Sequence, residues 1–302
     1  MADLQRINNT LGKMNYYLAT HNSICVSVSG GSDSDLIVHI IARYFRQYLE
    51  KIHFVFCNTG LEYRATLRHL DELEEKYNIS IDRIRGKSVV SVVKQDGIPI
   101  ISKDYSNVVG GAVKGRAFGL KRIERTRQES KFAMSANQKA LAHYLINNKI
   151  KISCSCCNKS KKNPLHKYEK QHKADLIITG ERKAEGGQRA QAHKDCFESK
   201  NGKTDRYMPL WFWDNETKQY YKEHEHIQFS DCYEVWGMKR TGCVGCPFNS
   251  HIGEDLKMIK QYEPNLYKAC MNVFGESYKL MDEFNIRRLK ILPEEEKGEI
   301  NE

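Results

Sequence analysis

Apolar positions recur at helical spacing from the start of the chain. Leu4, Ile7, Leu11, Met14 and Leu18 share one face of the segment Leu4–Thr20, which predicts an amphipathic helix. The period then changes. Ile24–Val28 is a short β-rich run that ends at Ser29-Gly30-Gly31, and Leu36–Leu49 is helical again, so strand, glycine turn and helix follow one another. Lys51–Phe56 reads as a second strand, ended by Asn58-Thr59-Gly60, and Tyr63–Tyr77 as a second helix rich in Leu and Glu. Ile79–Ile84 and Ala174–Gly180 read as further strands, the latter an almost uninterrupted apolar run suited to a sheet covered on both faces. This β-α-β-α order predicts an α/β fold, a parallel sheet with helices on both faces in the Rossmann-like manner. No obvious linker divides the chain. The expected division is residues 1–250 as the main domain and 251–302 as a helical, cysteine-containing extension with an acidic tail, Pro293–Glu302.

Composition narrows the function classes. Hydrophobic residues make up 40% of the 302, enough for a substantial core, and no apolar run reaches the roughly 18–20 residues that span a bilayer, so a soluble protein with no membrane partner is expected. Lys and Arg number 48 against 38 Asp and Glu, a formal charge of +10 that suits an anionic partner, nucleotide or nucleic acid. Part of the excess lies in Val113–Lys131, where Lys114, Arg116, Lys121, Arg122, Arg125, Arg127 and Lys131 face two glutamates in number. The start, Met-Ala-Asp-Leu-Gln-Arg, lacks the pattern of a secretory signal, so the ten cysteines are expected in a reducing cytoplasm.

Five of those cysteines crowd into two short segments, Cys154-Ser155-Cys156-Cys157 and Cys243-Val244-Gly245-Cys246. A C-x-x-C turn brings two sulfurs onto one ion or cluster, and four soft thiolates from two distant segments would close such a site. Iron–sulfur cluster, structural zinc and free thiols all remain open on these residues alone. Cys25 and Cys57 lie in apolar runs and are expected to pack as small hydrophobes. Cys196, Cys232 and Cys270 have no ligand-like neighbours, and His166, His172, His193, His224, His226 and His251 show no metal spacing with carboxylates.

The segment Ser29-Gly30-Gly31-Ser32-Asp33-Ser34, set between strand and helix, is the most informative local signal. Glycines let the backbone approach an anion closely, the helix start offers unpaired N–H groups with partial positive charge, and the serine hydroxyls can donate to phosphate oxygens. A Walker A loop would need a Gly-Lys-Ser/Thr ending, and a dinucleotide fold a Gly-x-Gly-x-x-Gly spacing; this segment has neither.

The hexapeptide resembles the Ser-Gly-Gly-x-Asp-Ser signature of the PP-loop superfamily, adenine-nucleotide α-hydrolase-like enzymes that act at the α-phosphate of ATP or of adenylyl sulfates. Val55-Phe56-Cys57-Asn58-Thr59-Gly60, leading to Thr66 and Leu67, is similar to the second-strand motif of phosphoadenylyl-sulfate (PAPS) and adenylyl-sulfate (APS) reductases, with Asn58 for that motif's Asp and Arg64-Ala65 for its Pro-Glu. Thr179-Gly180-Glu181-Arg182-Lys183-Ala184-Glu185 with Arg189-Ala190 is similar to the family's Gly-x-Arg-x-x-Glu-Ser segment. Pro209-Leu210 with Trp213 and Tyr220-Tyr221 is similar to its Pro-Leu-x-x-Trp segment. The run Cys156-Cys157-Asn158-Lys159-Ser160-Lys161-Lys162-Asn163-Pro164-Leu165 matches Cys-Cys-x-x-x-Lys-x-x-Pro-Leu of the APS reductases.

The resemblance implies a site. Ser29, Gly30, Gly31, Ser32, Asp33, Ser34, Thr59, Gly60 and Arg189 would bind the nucleotide, and Lys161 and Arg182 would act on the reacting phosphate. Cys156, Cys157, Cys243 and Cys246 would hold a [4Fe-4S] cluster, with zinc the alternative. It also implies two chemistries. A reductase attacks the sulfur of an adenylyl sulfate with a cysteine thiolate, drawing on a thiol reductant protein. The family carries that thiolate in a C-terminal Glu-Cys-Gly peptide, whereas the one cysteine after Cys246 here is Cys270, in a predicted helix. The alternative is an ATP pyrophosphatase that drives sulfur insertion into nucleic acid, as DNA phosphorothioation proteins and tRNA thiolases do, using Mg²⁺ and a sulfur donor. A non-catalytic nucleotide or redox sensor is the third expectation.

Overall fold

The computed structural model describes residues 2–130, 132–186, 193–199, 204–287 and 289. In chain order the elements used below are α1 (Ala2–Thr20), β1 (Ile24–Val28), α2 (Ser32–Tyr44), β2 (Ile52–Asn58), α3 (Arg64–Tyr77), β3 (Ile81–Arg85), α4 (Val89–Asp96), α5 (Lys103–Val113), α6 (Ala117–Glu124), α7 (Ala136–Asn147), α8 (Asn163–Gln171), β4 (Leu176–Ile178), β5 (Phe197–Glu198), β6 (Asp205–Tyr207), α9 (Asn215–His224), α10 (Asp231–Glu234), α11 (Ile252–Tyr262) and α12 (Pro264–Glu283). They fall into two compact units. The first comprises Met1–Asn58, Glu62–Gly86 and Lys162–Gly242; the second comprises Thr59–Leu61, Lys87–Lys161 and Cys243–Glu302. The units are therefore interleaved along the chain rather than consecutive.

The first unit is the α/β unit. Its sheet has the order β3-β2-β1-β4-β6-β5. All neighbours run parallel except β5, which pairs antiparallel with β6 at the edge. Side chains alternate across it, as a strand's period of two requires. Ile24, Val26 and Val28 of β1 and Ile52, Phe54 and Phe56 of β2 join the main core with Leu36, Ile37, Ile40 and Ile41 of α2. On the opposite face Cys25 and Val55 pack with Tyr168 and, partly buried, Leu165 of α8. Both faces are thus covered, which is why the β4 segment reads as an almost uninterrupted apolar run.

Two boundaries differ from the periodic pattern for visible reasons. The helix expected over Leu36–Leu49 begins at Ser32, with Gly31 at its N-cap and Ser34 Oγ accepting the Gly31 N–H, and stops at Tyr44; Arg46–Lys51 continues as a 3₁₀ turn. The strand expected over Ala174–Gly180 is paired only from Leu176 to Ile178. Before it, Asp175 turns its carboxylate to the N–H groups of Asn22 and Ser23, at 2.8 and 3.0 Å.

The second unit is helical in its described part, with one isolated parallel bridge between Ile98 and Ile152. Gly119 brings α6 against α5: a Cβ there would lie 2.6 Å from the Val108 carbonyl oxygen. On α12, the buried Ser277 hydroxyl donates to the Pro99 carbonyl at 2.7 Å. Arg287 donates to the carbonyls of Pro247 and Asn249, at 2.9 and 2.7 Å. Among the described residues no helix is long and apolar enough to cross a membrane.

Candidate functional site

The strand order reverses between β1 and β4, since β2 and β3 lie on one side of β1 and β4 on the other. In open α/β sheets that reversal leaves a crevice at the carboxyl ends of the strands where ligands bind. Ser29-Gly30-Gly31 lies at the carboxyl end of β1 and leads straight into α2. Gly30 has φ +62°, the left-handed region that favours glycine, and a Cβ on it would fall 2.5 Å from Thr66 Cγ2. A Cβ on Gly31 would meet the hydroxyls of Ser29, Thr241 and Tyr233 at 3.2, 3.2 and 3.3 Å. After β4, Gly180 approaches the same turn, its position for a Cβ lying 3.0 Å from the Ser34 nitrogen. Gly180 thus lets the chain after β4 lie against the start of α2, while Gly30 and Gly31 leave room for the side chains of Thr66, Ser29, Tyr233 and Thr241.

Side chains fix the turn. The N–H groups of Ser29 and Gly31 both donate to Ser34 Oγ at 3.2 Å, and that hydroxyl donates to the Gly31 carbonyl at 2.8 Å, so buried Ser34 holds the loop from within. Asp33 Oδ1 accepts from Arg182 Nε at 2.7 Å and pairs with Lys218 Nζ at 2.8 Å. Lys218 also donates to Ser32 Oγ at 2.6 Å. Arg182 Nη1 reaches the Trp213 carbonyl and Asn215 Oδ1, at 3.3 and 3.1 Å. The sequence pointed to Arg182 as a phosphate clamp; in the structure two of its nitrogens fasten the loop's aspartate and the segment before α9. Its side chain is 7% exposed.

Pattern reading missed five neighbours. Lys218 lies on α9 in a polar run without a motif. Tyr233 and Thr241 line Gly31 from far along the chain, the Thr241 N–H donating to the Tyr233 hydroxyl at 3.1 Å. His69 Nε2 meets Asp35 Oδ2 at 2.8 Å, both side chains almost fully buried behind the loop. Burial works against a charge on His69, but the Asp35 carboxylate and then Glu72 outweigh it and raise its pKa. Burial also pushes the Asp35 carboxyl up, against the pull of His69. The pair is best described as sharing one proton. The one signal available for Asp35 was its position on the fourth residue after Gly31, inside the first helical turn.

The remaining expected residues lie in the second unit or outside the described residues. Thr59 is buried, and its carbonyl accepts from the Val89 N–H at 2.9 Å; Gly60 has φ +88° and abuts Ser88. Arg189 is outside the described residues. Cys156, Cys157, Cys243 and Cys246 all belong to the second unit, as does Lys161. Cys157 is drawn down by a hydrogen bond from Cys156 and by the charges of Lys103 and Lys161. Cys156 is pushed up by that same bond and by burial, with Cys157, Cys246 and Cys243 adding to it. The Cys243–Cys246 turn closes through the Cys246 N–H on the Cys243 carbonyl, at 3.2 Å. It depends on Gly245 (φ +66°), where a Cβ would meet Cys270 Sγ at 2.7 Å.

Among the described residues no group of three or more His, Cys, Asp or Glu side chains is placed to hold a metal ion. The donor chemistry fits an iron–sulfur cluster all the same. Cys157, Cys243 and Cys246 all bear on Cys156 and push it up, and a four-iron cluster takes one thiolate per iron instead of drawing all four onto one atom. Elsewhere, Cys25 and Cys57 are buried as small hydrophobes, Cys270 is buried on α12, and buried Cys196 accepts from Lys13 Nζ at 3.5 Å.

The family model for the phosphoadenosine phosphosulfate reductase domain matches residues 23–105 and 113–249, most of the chain. The chain belongs to the phosphoadenosine phosphosulfate reductase domain family. Two relatives are proteins of Methanocaldococcus jannaschii, the uncharacterized protein MJ0066, 26% identical over 87% of this chain and 43% of its own length, and the uncharacterized protein MJ0973, 20% identical over 83% and 47%. This reductase-family chain thus spans about half the length of the curated relatives it matches. Among solved structures, the phosphoadenylyl-sulfate reductase from Candida auris in its phosphate complex is similar with a TM-score of 0.47 at 13% identity, covering 78% of this chain and 87% of that one. The U34-tRNA thiolase NcsA from Methanococcus maripaludis, solved with its [4Fe-4S] cluster, is similar with a TM-score of 0.41 at 15% identity, over 95% and 81%.

Two outcomes follow from the loop's supports. Asp33→Ala leaves Arg182 and Lys218 facing each other without their anion, so urea denaturation should show a loss of about 1–3 kcal/mol; an unchanged midpoint would count against the clamp. The raised His69 pKa stabilises the fold fully below the unfolded value of about 6.5 and progressively less as pH rises through the folded value. The stability advantage of the natural chain over His69→Asn should therefore shrink as denaturation is repeated from pH 6 to pH 9.

Proposed function

We propose that this chain binds an adenine nucleotide through Ser29–Ser34 and cleaves it at the α-phosphate, in a reaction of sulfur metabolism. The observation that carries this reading is the glycine-lined start of α2 at the strand-order reversal, with Lys218 and Arg182 pinned to Asp33 of the same loop. Helix-start N–H groups and nearby cations stabilise negative charge, and held in place beforehand they favour a transition state in which charge builds on a leaving phosphoryl oxygen. Lys218 sets a cation beside Ser32, Ser34 holds the backbone N–H groups in register, and Arg182 orients the loop. Thr59, Gly60, Arg189 and Lys161 belong to the proposal on their motifs alone.

Cys156, Cys157, Cys243 and Cys246 would hold a [4Fe-4S] cluster, which when bound would supply electron transfer or a soft site for a sulfur atom. A specific observation favours ATP over an adenylyl sulfate as the nucleotide. Attack on sulfate sulfur needs an accessible thiolate, and of the six cysteines outside the cluster set Cys25, Cys57, Cys196, Cys232 and Cys270 are buried, while Cys154 is half-buried two residues from Cys156. ATP cleavage between the α and β phosphates, with sulfur displacing an adenylylated oxygen, requires no protein nucleophile.

Incubation with ATP, APS and PAPS in parallel separates these. Pyrophosphate from ATP is the expected product, reduced on the order of 10²-fold in Lys218→Ala. Sulfite from an adenylyl sulfate with a thiol reductant would establish the reductase version, and silence on all three would overturn the proposal. Anaerobic purification should give a brown chain with about four irons that Cys246→Ser loses; a colourless, zinc-loaded chain would refute the cluster.

A further inference from the structure

The second unit has a cationic surface that nucleotide cleavage does not use. A cavity of about 470 Å³ is lined by Lys114, Lys151 and Lys159 with Asp96, Ser153 and Ser155. Asp96 is committed inside it, to Lys159 Nζ at 2.6 Å and to the Ser155 hydroxyl, and these bonds hold its carboxyl below the ordinary range. Lys114 and Lys151 are exposed and, among the described residues, make no salt bridge, so the cavity keeps an excess of positive charge with hydroxyls beside it.

From Lys114 the chain runs directly onto α6, where Lys121 is exposed, followed by exposed Arg125 and Arg127. Between these cations Phe118 is 64% exposed and Leu120 43%, with Phe132 at 68% just beyond. The face is held firmly. Arg122 grips Asp104 of α5 with two hydrogen bonds, at 3.0 and 2.8 Å, and Gly119 sits tight against the α5 backbone. A helix that fixes a large aromatic ring in water, flanked by cations and next to a lysine-lined cavity, offers two things at once: a stacking platform and a row of phosphate contacts. An acidic protein partner would use the charges but has no need of rings left standing among them.

We propose that this face binds single-stranded nucleic acid, with backbone phosphates in the Lys114–Lys151 cavity and on Lys121 and Arg125, and with a base stacked on Phe118. A duplex keeps its base faces stacked inside, so the single strand is the form the ring can read. The proposal goes beyond the nucleotide reading and does not rest on it.

The test is fluorescence anisotropy of the full chain, without added nucleotide, against labelled single-stranded RNA, single-stranded DNA and duplex DNA across a salt series. One or both single strands should bind in preference to duplex, the preferred one naming the sugar. Removing two phosphate contacts in Lys121→Ala/Arg125→Ala should flatten the log–log salt dependence by about 1.4, at roughly 0.7 per contact. Phe118→Ala should weaken binding by about tenfold with the salt slope unchanged. Equal affinity for duplex and single strand, binding indifferent to Phe118→Ala, or no binding at low salt would overturn the proposal. Pyrophosphate or sulfite release measured on the same variants, expected unchanged, keeps this outcome separate from that of the nucleotide reading.

Discussion

Close packing at the carboxyl end of β1, at positions where a side chain would not fit, is the constraint on which the candidate site depends. Gly30, Gly31 and Gly180 each stand where a Cβ would press on a neighbour. Their absence of side chains lets the turn, the start of α2 and the chain leaving β4 share a space that larger residues would fill. An anion site made of main-chain N–H groups needs such proximity, because those groups cannot reach outward as a lysine can. The reversal of strand order between β1 and β4 is where open sheets leave a crevice, and the glycines sit at that point.

Charge is then concentrated where the backbone is tightest. Asp33 with Arg182 and Lys218, and Asp35 with His69, set two ionic groups into the first turn of α2. Burying such groups is weak evidence for stability, because desolvation offsets most of the attraction. Their value here is positional. Acidic residues suit a helix start, and each is tied to a cation from another element, so α9, α3 and the segment after β4 all bear on the loop's geometry. The Trp213 segment takes part through its backbone: its indole N–H donates to Thr10 Oγ1 at 2.8 Å, which anchors the carbonyl that Arg182 contacts.

The cysteine set obeys a different logic. Its thiols come from segments far apart in the sequence yet belong to one helical unit, where Cys157, Cys243 and Cys246 all bear on Cys156. Gly245 permits the turn between Cys243 and Cys246 for the same reason that glycines serve the loop, a tight contact, here with buried Cys270. That contact gives Cys270 a packing role on α12 consistent with its burial.

Local pattern alone determined much of this chain. The alternation of Ile24, Val26 and Val28, the glycine turn after them and the helical spacing of α1 and α3 are short-range facts, and each follows from a strand period of two or a helix period of 3.6. Motif spacing likewise marked the loop, Arg182 and the four cysteines. Tertiary structure decided what no local window holds: that Arg182 fastens Asp33, that Lys218, Tyr233 and Thr241 converge on the loop, that His69 pairs with Asp35, and that the two units interleave. Those outcomes depend on which buried charge finds its partner and on which elements pack side by side, and both are set by contacts between residues distant in the chain.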